Sequence, residues 1–179
     1  MKSTLVIHPK DSTTDCLQVI YQNRDWNVIR DPNTSSKVVE EAIKAHDRII
    51  MLGHGGPRGL LAAYGGSRFG RYIVDDNSAL FLHPKETYSI WCNSDIYFDL
   101  HRMKGFHTGM IISEVGEEIA MLGEAVLNEE EMAKNMELFC RVCAESIDLE
   151  PEEAKAYVLE NYVGEDEVTQ FNRERIVVL

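Results

Sequence analysis

The chain has 179 residues, 44% of them hydrophobic and 27% charged, enough for one domain with a real core, 1–179. No window approaches the roughly 18 consecutive apolar residues of a membrane helix, and the apolar start at Leu5–Ile7 is too short for a signal peptide, so a cytoplasmic protein with no membrane partner is expected. Residues 114–179 carry 18 acidic and 5 basic side chains against 12 and 13 in residues 1–113, so the last third would repel phosphate and nucleic acid is excluded as a partner.

In chain order, Ser3–His8 reads as a first strand, ended by Pro9. Asp11-Ser12-Thr13-Thr14 offers N-caps to a helix whose apolar positions are Cys16, Leu17, Ile20 and Tyr21. Trp26–Arg30 reads as a second strand. Ser35 or Ser36 caps a second helix with Val38, Val39, Ala42 and Ile43 inward. Arg48-Ile-Ile-Met-Leu52 is then an unbroken apolar run closed by Gly53-His54-Gly55-Gly56, the pattern of a central strand buried on both faces. The order βαβαβ with crossovers of this length builds a parallel sheet.

Residues 59–75 read as a hairpin around Gly65-Gly66-Ser67. Asn77-Ser78 starts a short helix ended by Pro84. Tyr88-Ser89-Ile90-Trp91-Cys92 is a fourth strand with a thiol at its tip. A helix with Ile96, Tyr97 and Leu100 follows, and Thr108–Ser113 reads as a fifth strand. The acidic remainder is mainly helical. One long helix keeps Met132, Met136, Phe139, Cys140, Cys143 and Ile147 on one face. Another starts at Pro151 with Ala154, Tyr157, Val158 and Tyr162 inward, and Arg175–Leu179 reads as a last strand. The fold expected is α/β: a three-layer α/β/α sandwich on a mostly parallel central sheet, with residues 1–113 as its α/β core and 114–179 as a helical part of the same domain.

The four cysteines are read as reduced thiols, and Cys140-x-x-Cys143 as two core residues one turn apart. No His or Cys spacing fits a metal, for His83, His101 and His107 combined with His54 included, so no metal or cofactor is assigned. His54 and Cys92 are the exceptions to this plain reading. Each ends a buried strand, where open α/β sheets bind ligands, and together they are a thiol nucleophile and its base. Taken singly, His54 is equally a hydrogen-bonded loop residue, Cys92 a core residue, and Gly-His-Gly-Gly an anion-binding turn.

The order strand, His-Gly, hairpin, short helix, strand, Cys, helix, strand resembles the caspase-like cysteine peptidases, the group with gingipain, legumain, clostripain and separase. The likeness rests on Ile49–Gly55 and Tyr88–Cys92, roughly 40 positions apart, and spans about residues 3–113. Trp91 stands where many members have a small residue, and Asn93-Ser94-Asp95 where many have a nearby glycine. The resemblance implies a caspase-like fold and a peptidase in which Cys92 attacks a peptide or protein substrate, His54 moves the proton, and the backbone N–H groups of Gly55 and Cys92 hold the oxyanion. It also implies that Asp95 and Glu114 lie near the first substrate pocket, which would favour Arg or Lys before the scissile bond; the plain alternative is that both sit at helix starts. A non-catalytic binding or regulatory module of the same fold is the competing function, and a homo-oligomer or protein partner is left open. Cys92 is expected to be the most reactive of the four thiols.

Overall fold

The structure, a computed structural model, describes residues 2–62 and 71–179. The turn expected at Gly65-Gly66-Ser67 lies outside the described residues. The elements run β1 (Thr4–Ile7), a 3₁₀ helix (Ser12–Ile20), β2 (Asn27–Ile29), α1 (Ser36–Ala45), β3 (Arg48–Leu52), β4 (Gly55–Gly56), β5 (Gly59–Leu61), β6 (Tyr72–Val74), α2 (Ala79–Leu82) and β7 (Glu86–Ile90). They continue with α3 (Ser94–Leu100), β8 (Phe106–Thr108), α4 (Val115–Leu122), α5 (Glu129–Ser146), α6 (Pro151–Asn161), α7 (Glu167–Glu174) and β9 (Ile176–Val178).

The molecule is mixed α/β. Six strands form one sheet in the order β2-β1-β3-β7-β8-β9, and every pairing is parallel except β8 with β9. Alternation along the central strands divides the core in two. Leu5, Ile7, Ile49 and Met51 pack with Val39 and Ile43 of α1, Leu82 of α2 and Tyr97 and Phe98 of α3. Val6, Ile50, Leu52, Tyr88 and Ile90 pack with Leu17 and Ile20 of the 3₁₀ helix and with Phe139 and Cys143 of α5 and Val158 of α6. Successive side chains of a strand point to opposite faces, so helices on both faces require strands apolar at every position. This arrangement is compatible with a three-layer α/β/α sandwich.

Local chemistry explains the element ends. The Asp11 carboxylate accepts from Thr13 N–H and starts the 3₁₀ helix, Ser35 caps α1, and Asn128 with Glu131 forms a capping box on α5. Several expectations differ, and Val38 of α1 is exposed rather than inward. The first helix is 3₁₀ throughout, so Cys16 faces outward rather than into the core. On α3, Ile96 and Leu100 are exposed while Tyr97 and Phe98 are buried. The fifth strand lies at Phe106–Thr108 rather than over Thr108–Ser113, and beyond it the buried Asn172 amide holds the chain. Its Oδ1 accepts from Ile112 N–H at 2.8 Å and its Nδ2 donates to the Ile112 carbonyl at 2.9 Å, which satisfies both backbone groups of Ile112. Among the described residues no helix is long and apolar enough to cross a membrane.

Candidate active site

β3 and β7 are adjacent and parallel, in register from Arg48 opposite Glu86 to Leu52 opposite Ile90. Their carboxyl ends therefore lie side by side, and His54 and Cys92 each follow two residues beyond. Gly53 turns the chain off β3 with φ 135°, a conformation open to glycine, and its N–H donates to the Ile90 carbonyl at 3.0 Å, tying the two strand tips together. Beyond Cys92, Asn93 takes the left-handed conformation, φ 64° and ψ 32°, and sends the chain at once into α3.

His54 and Cys92 line one cavity of about 230 Å³. Its walls also include Thr13, Cys16 and Leu17 of the 3₁₀ helix, Ile90, Trp91, Ile111, and Met136 and Phe139 of α5. The wall is mainly apolar. Trp91, the residue that departs from the family pattern, is 1% exposed and packs edge-on against Tyr97. Its indole N–H donates to the Gly56 carbonyl at 3.3 Å, so it clamps the glycine turn after His54 to the strand that carries Cys92.

The His54 ring is held from the first strand's loop. His54 Nε2 lies 2.6 Å from Thr13 Oγ1, and Thr13 Oγ1 lies 2.8 Å from Asp11 Oδ1. A carboxylate only accepts, so the single hydroxyl proton of Thr13 goes to Asp11 and the Thr13 oxygen accepts from His54 Nε2–H. Sequence reading treated Asp11 and Thr13 only as helix caps. The signal was present in their position: β1 neighbours β3 and runs parallel to it, so the loop after each strand reaches the same edge of the sheet.

Cys92 is half-buried. Its thiol donates to the Ile111 carbonyl at 3.8 Å. Burial pushes this thiol above its ordinary pKa, partly offset by that hydrogen bond and reinforced by the Glu117 carboxylate. Glu117 is itself fixed by Ser113 N–H and Oγ–H at 2.8 and 2.9 Å. Cys16, by contrast, is exposed, and a hydrogen bond with Cys140 holds its thiol below the ordinary value. Cys16 is thus the more accessible of the two thiols, while burial raises that of Cys92. Cys140 and Cys143 are in the core.

The Gly55 backbone pairs with Leu60, while Leu61 N–H donates to the His54 carbonyl. That places Gly55 at a non-hydrogen-bonded position of the hairpin, where its N–H points away from β5. The two acidic residues expected in the substrate pocket are not among those lining this cavity. Asp95 is in the first turn of α3, near Gly109, and Glu114 precedes α4 on a neighbouring groove with Val115, Glu129 and Met132. Asp95 is carried there by the turn at Asn93 that starts α3, and Glu114 lies beyond β8, which stops at Thr108. Among the described residues no group of three His, Cys, Asp or Glu side chains is placed to hold a metal ion. No family model, curated protein or solved structure matches this chain.

Proposed function

We propose that this protein is a cysteine peptidase of caspase-like fold, in which Cys92 is the nucleophile and His54 its base. One observation carries the reading: His54 and Cys92 open into the same cavity at the carboxyl ends of adjacent parallel strands. The Cys92 thiol is protonated at rest, so attack needs a base. The His54 imidazole takes the proton as sulfur adds to the substrate carbonyl, and returns it to the leaving amine. The Gly55 and Cys92 N–H groups receive the oxyanion, each worth about a hundredfold or more in rate. Water, activated by the same His54, then hydrolyses the thioester and restores the thiol.

In this reading Thr13 and Asp11 are positioning residues that fix the His54 tautomer. Thr13→Val is expected to lower kcat/KM by up to about a hundredfold, as a loosened base does, while Thr13→Ser retains most activity. Steady-state kinetics of the two variants, with a pH profile of each, checks this; equal loss in both would remove Thr13 from the mechanism.

The cavity walls also revise the substrate expectation. With Asp95 and Glu114 outside it and Leu17, Ile90, Ile111, Met136 and Phe139 around it, the cavity suits an uncharged apolar side chain. A fluorogenic peptide panel is expected to show cleavage after Leu, Met or Phe at least about tenfold better than after Arg or Asp, the discrimination of roughly 1.4 kcal/mol that one buried apolar contact supplies. Cleavage only after Arg or Lys would restore the acidic-pocket expectation. The second reading, a non-catalytic module, is favoured by one feature: the Cys92 thiol is hydrogen-bonded to Ile111 rather than poised as a thiolate. Failure of every peptide in the panel, with no covalent labelling of Cys92, would select it.

A further inference from the structure

His8 is a fully buried imidazole that the peptidase reading leaves without a task. It is the first residue after β1. Its N–H donates to the Ile29 carbonyl at 3.0 Å, which carries the pairing with β2 on toward the sheet edge that holds His54. Both ring nitrogens have partners. Nδ1 lies 2.9 Å from the Tyr21 hydroxyl, and Nε2 lies 3.2 Å from Thr14 Oγ1. Arg30, just past β2, donates through Nη1 to the same Tyr21 oxygen at 2.6 Å and through Nη2 to Asp15 Oδ1 at 2.8 Å. Thr14 Oγ1 donates in turn to the Asp11 carbonyl at 3.3 Å. The order of donors that gives each hydroxyl proton an acceptor runs Arg30, Tyr21, His8, Thr14, Asp11.

This chain of hydrogen bonds meets the support of His54. Asp11 and Thr14 stand on either side of Thr13, whose Oγ1 lies 2.6 Å from His54 Nε2 and 2.8 Å from Asp11 Oδ1. The His8 ring also backs the turn before His54: a Cβ built on Gly53 would stand 3.9 Å from His8 Cδ2. The segment in between has reason to be tied down. Thr13 is in the first turn of a 3₁₀ helix nine residues long, and 3₁₀ runs beyond three or four residues are uncommon because their hydrogen bonds are poorly aligned.

We propose that His8, Tyr21 and Arg30 form a hydrogen-bonded brace that positions the base His54 through Thr13. Thr13 and Thr14 line the cavity and the three brace residues do not, so the brace acts from behind the wall and touches no reacting atom. A base must be held within hydrogen-bond reach of the proton it takes, and a misplacement of about 1 Å costs up to about a hundredfold in rate. The effect on turnover rests on the peptidase reading; the effect on the His54 ring rests on the hydrogen bonds alone.

The test is Tyr21→Phe in the full-length protein, which removes the hydroxyl and keeps the ring. On the best peptide of the panel, kcat is expected to fall about three- to tenfold with KM changed by less than about twofold. Added to Thr13→Val, the same substitution should deepen the loss by less than about twofold, because both act through one contact. By NMR, the ¹⁵N shift of His54 Nε2 should move in Tyr21→Phe in the direction that it moves in Thr13→Val, whether or not a peptide is cleaved. Arg30→Gln, at the half-buried outer end of the brace, is the second variant and should move both readouts the same way by less. Tyr157→Phe, which deletes a hydroxyl bonded to Glu145 on α5, is the control and should move neither. Losses that multiply in the double variant, or an unmoved His54 shift in Tyr21→Phe, overturn the proposal. A moved shift in a protein that cleaves no peptide overturns the peptidase reading and leaves the brace standing.

Discussion

Gly55→Ala is expected to cost about 1–3 kcal/mol of folding stability, the usual range of overpacking. A Cβ at this position would lie 2.1 Å from Trp91 Cδ1 and 2.7 Å from the Gly59 carbonyl oxygen. Neither neighbour can give way. Trp91 is enclosed by Tyr97 and Phe98, and Gly59 is fixed in its hairpin pairing with Gly56. At this chain length the loss corresponds to a fall in Tm of roughly 2–12 °C. Gly56→Ala is the control one residue away, since nothing lies within 4 Å of its would-be Cβ; its cost should stay within about 0.5 kcal/mol. Thermal unfolding of the two variants decides the matter, and equal effects would mean that Trp91 does not clamp this turn. The same clamp positions the Gly55 N–H, so Gly55→Ala should also lose turnover out of proportion to the folded fraction that remains.

Acid is expected to unfold the protein early, beginning below about pH 6.5. His8 and His107 are both fully buried. Burial lowers His8 to about 4, with a further push from Arg30 opposed by Asp15, and lowers His107 to about 3. His8 is held neutral between Tyr21 OH at 2.9 Å and Thr14 Oγ1 at 3.2 Å, and His107 stacks on Phe98 with ring centroids 3.8 Å apart. Both folded-state values lie below the unfolded one, so between them the unfolded chain binds more protons and stability rises with pH. The contribution is complete above about 6.5. Each histidine removes about 1.4 kcal/mol per pH unit below that, or about 5 kcal/mol for the pair by pH 4.5, a large part of a typical total. Carboxylates act in a lower window. Asp15, hydrogen-bonded by Arg30, and Asp47, hydrogen-bonded by Ser3, are held below their ordinary value and lose their contribution only below about pH 4. Urea unfolding of the wild type and of His107→Phe between pH 4.5 and 7 measures the slope. The substitution should flatten it by about half, and an unchanged slope would show that His107 is not titrating.

The readable parts of the fold were those set by local pattern. The run Ile49–Leu52 is apolar at every position because helices cover both faces of its strand, and His54 and Cys92 could be placed at one sheet edge from the βαβ order alone. What could not be read depends on contacts between distant segments. Asn172 holds the chain beyond the fifth strand at Ile112, 60 residues away, and Met136 and Phe139, legible only as a helix face, became cavity wall once α5 packed beside the 3₁₀ helix. Asp95 and Glu114 lie outside the lining of this cavity, Asp95 because the turn at Asn93 carries it straight into α3 and Glu114 because β8 stops at Thr108. Asp11 and Thr13 carry two roles at once. Their capping signal was plain, and it concealed their contact with His54.

The central claim is that Cys92 and His54 act as a pair. A peptidyl acyloxymethyl ketone tests it more directly than iodoacetamide, because a small alkylator reports Cys16, the exposed thiol, whereas the ketone needs a bound peptide and an assisted nucleophile. The measurement is the labelled site, by mass spectrometry, in the wild type, Cys92→Ala and His54→Ala, each first shown to unfold cooperatively. The account predicts one label on Cys92 of the wild type and none in either variant. A label on Cys16, or a Cys92 label undiminished in His54→Ala, would contradict it.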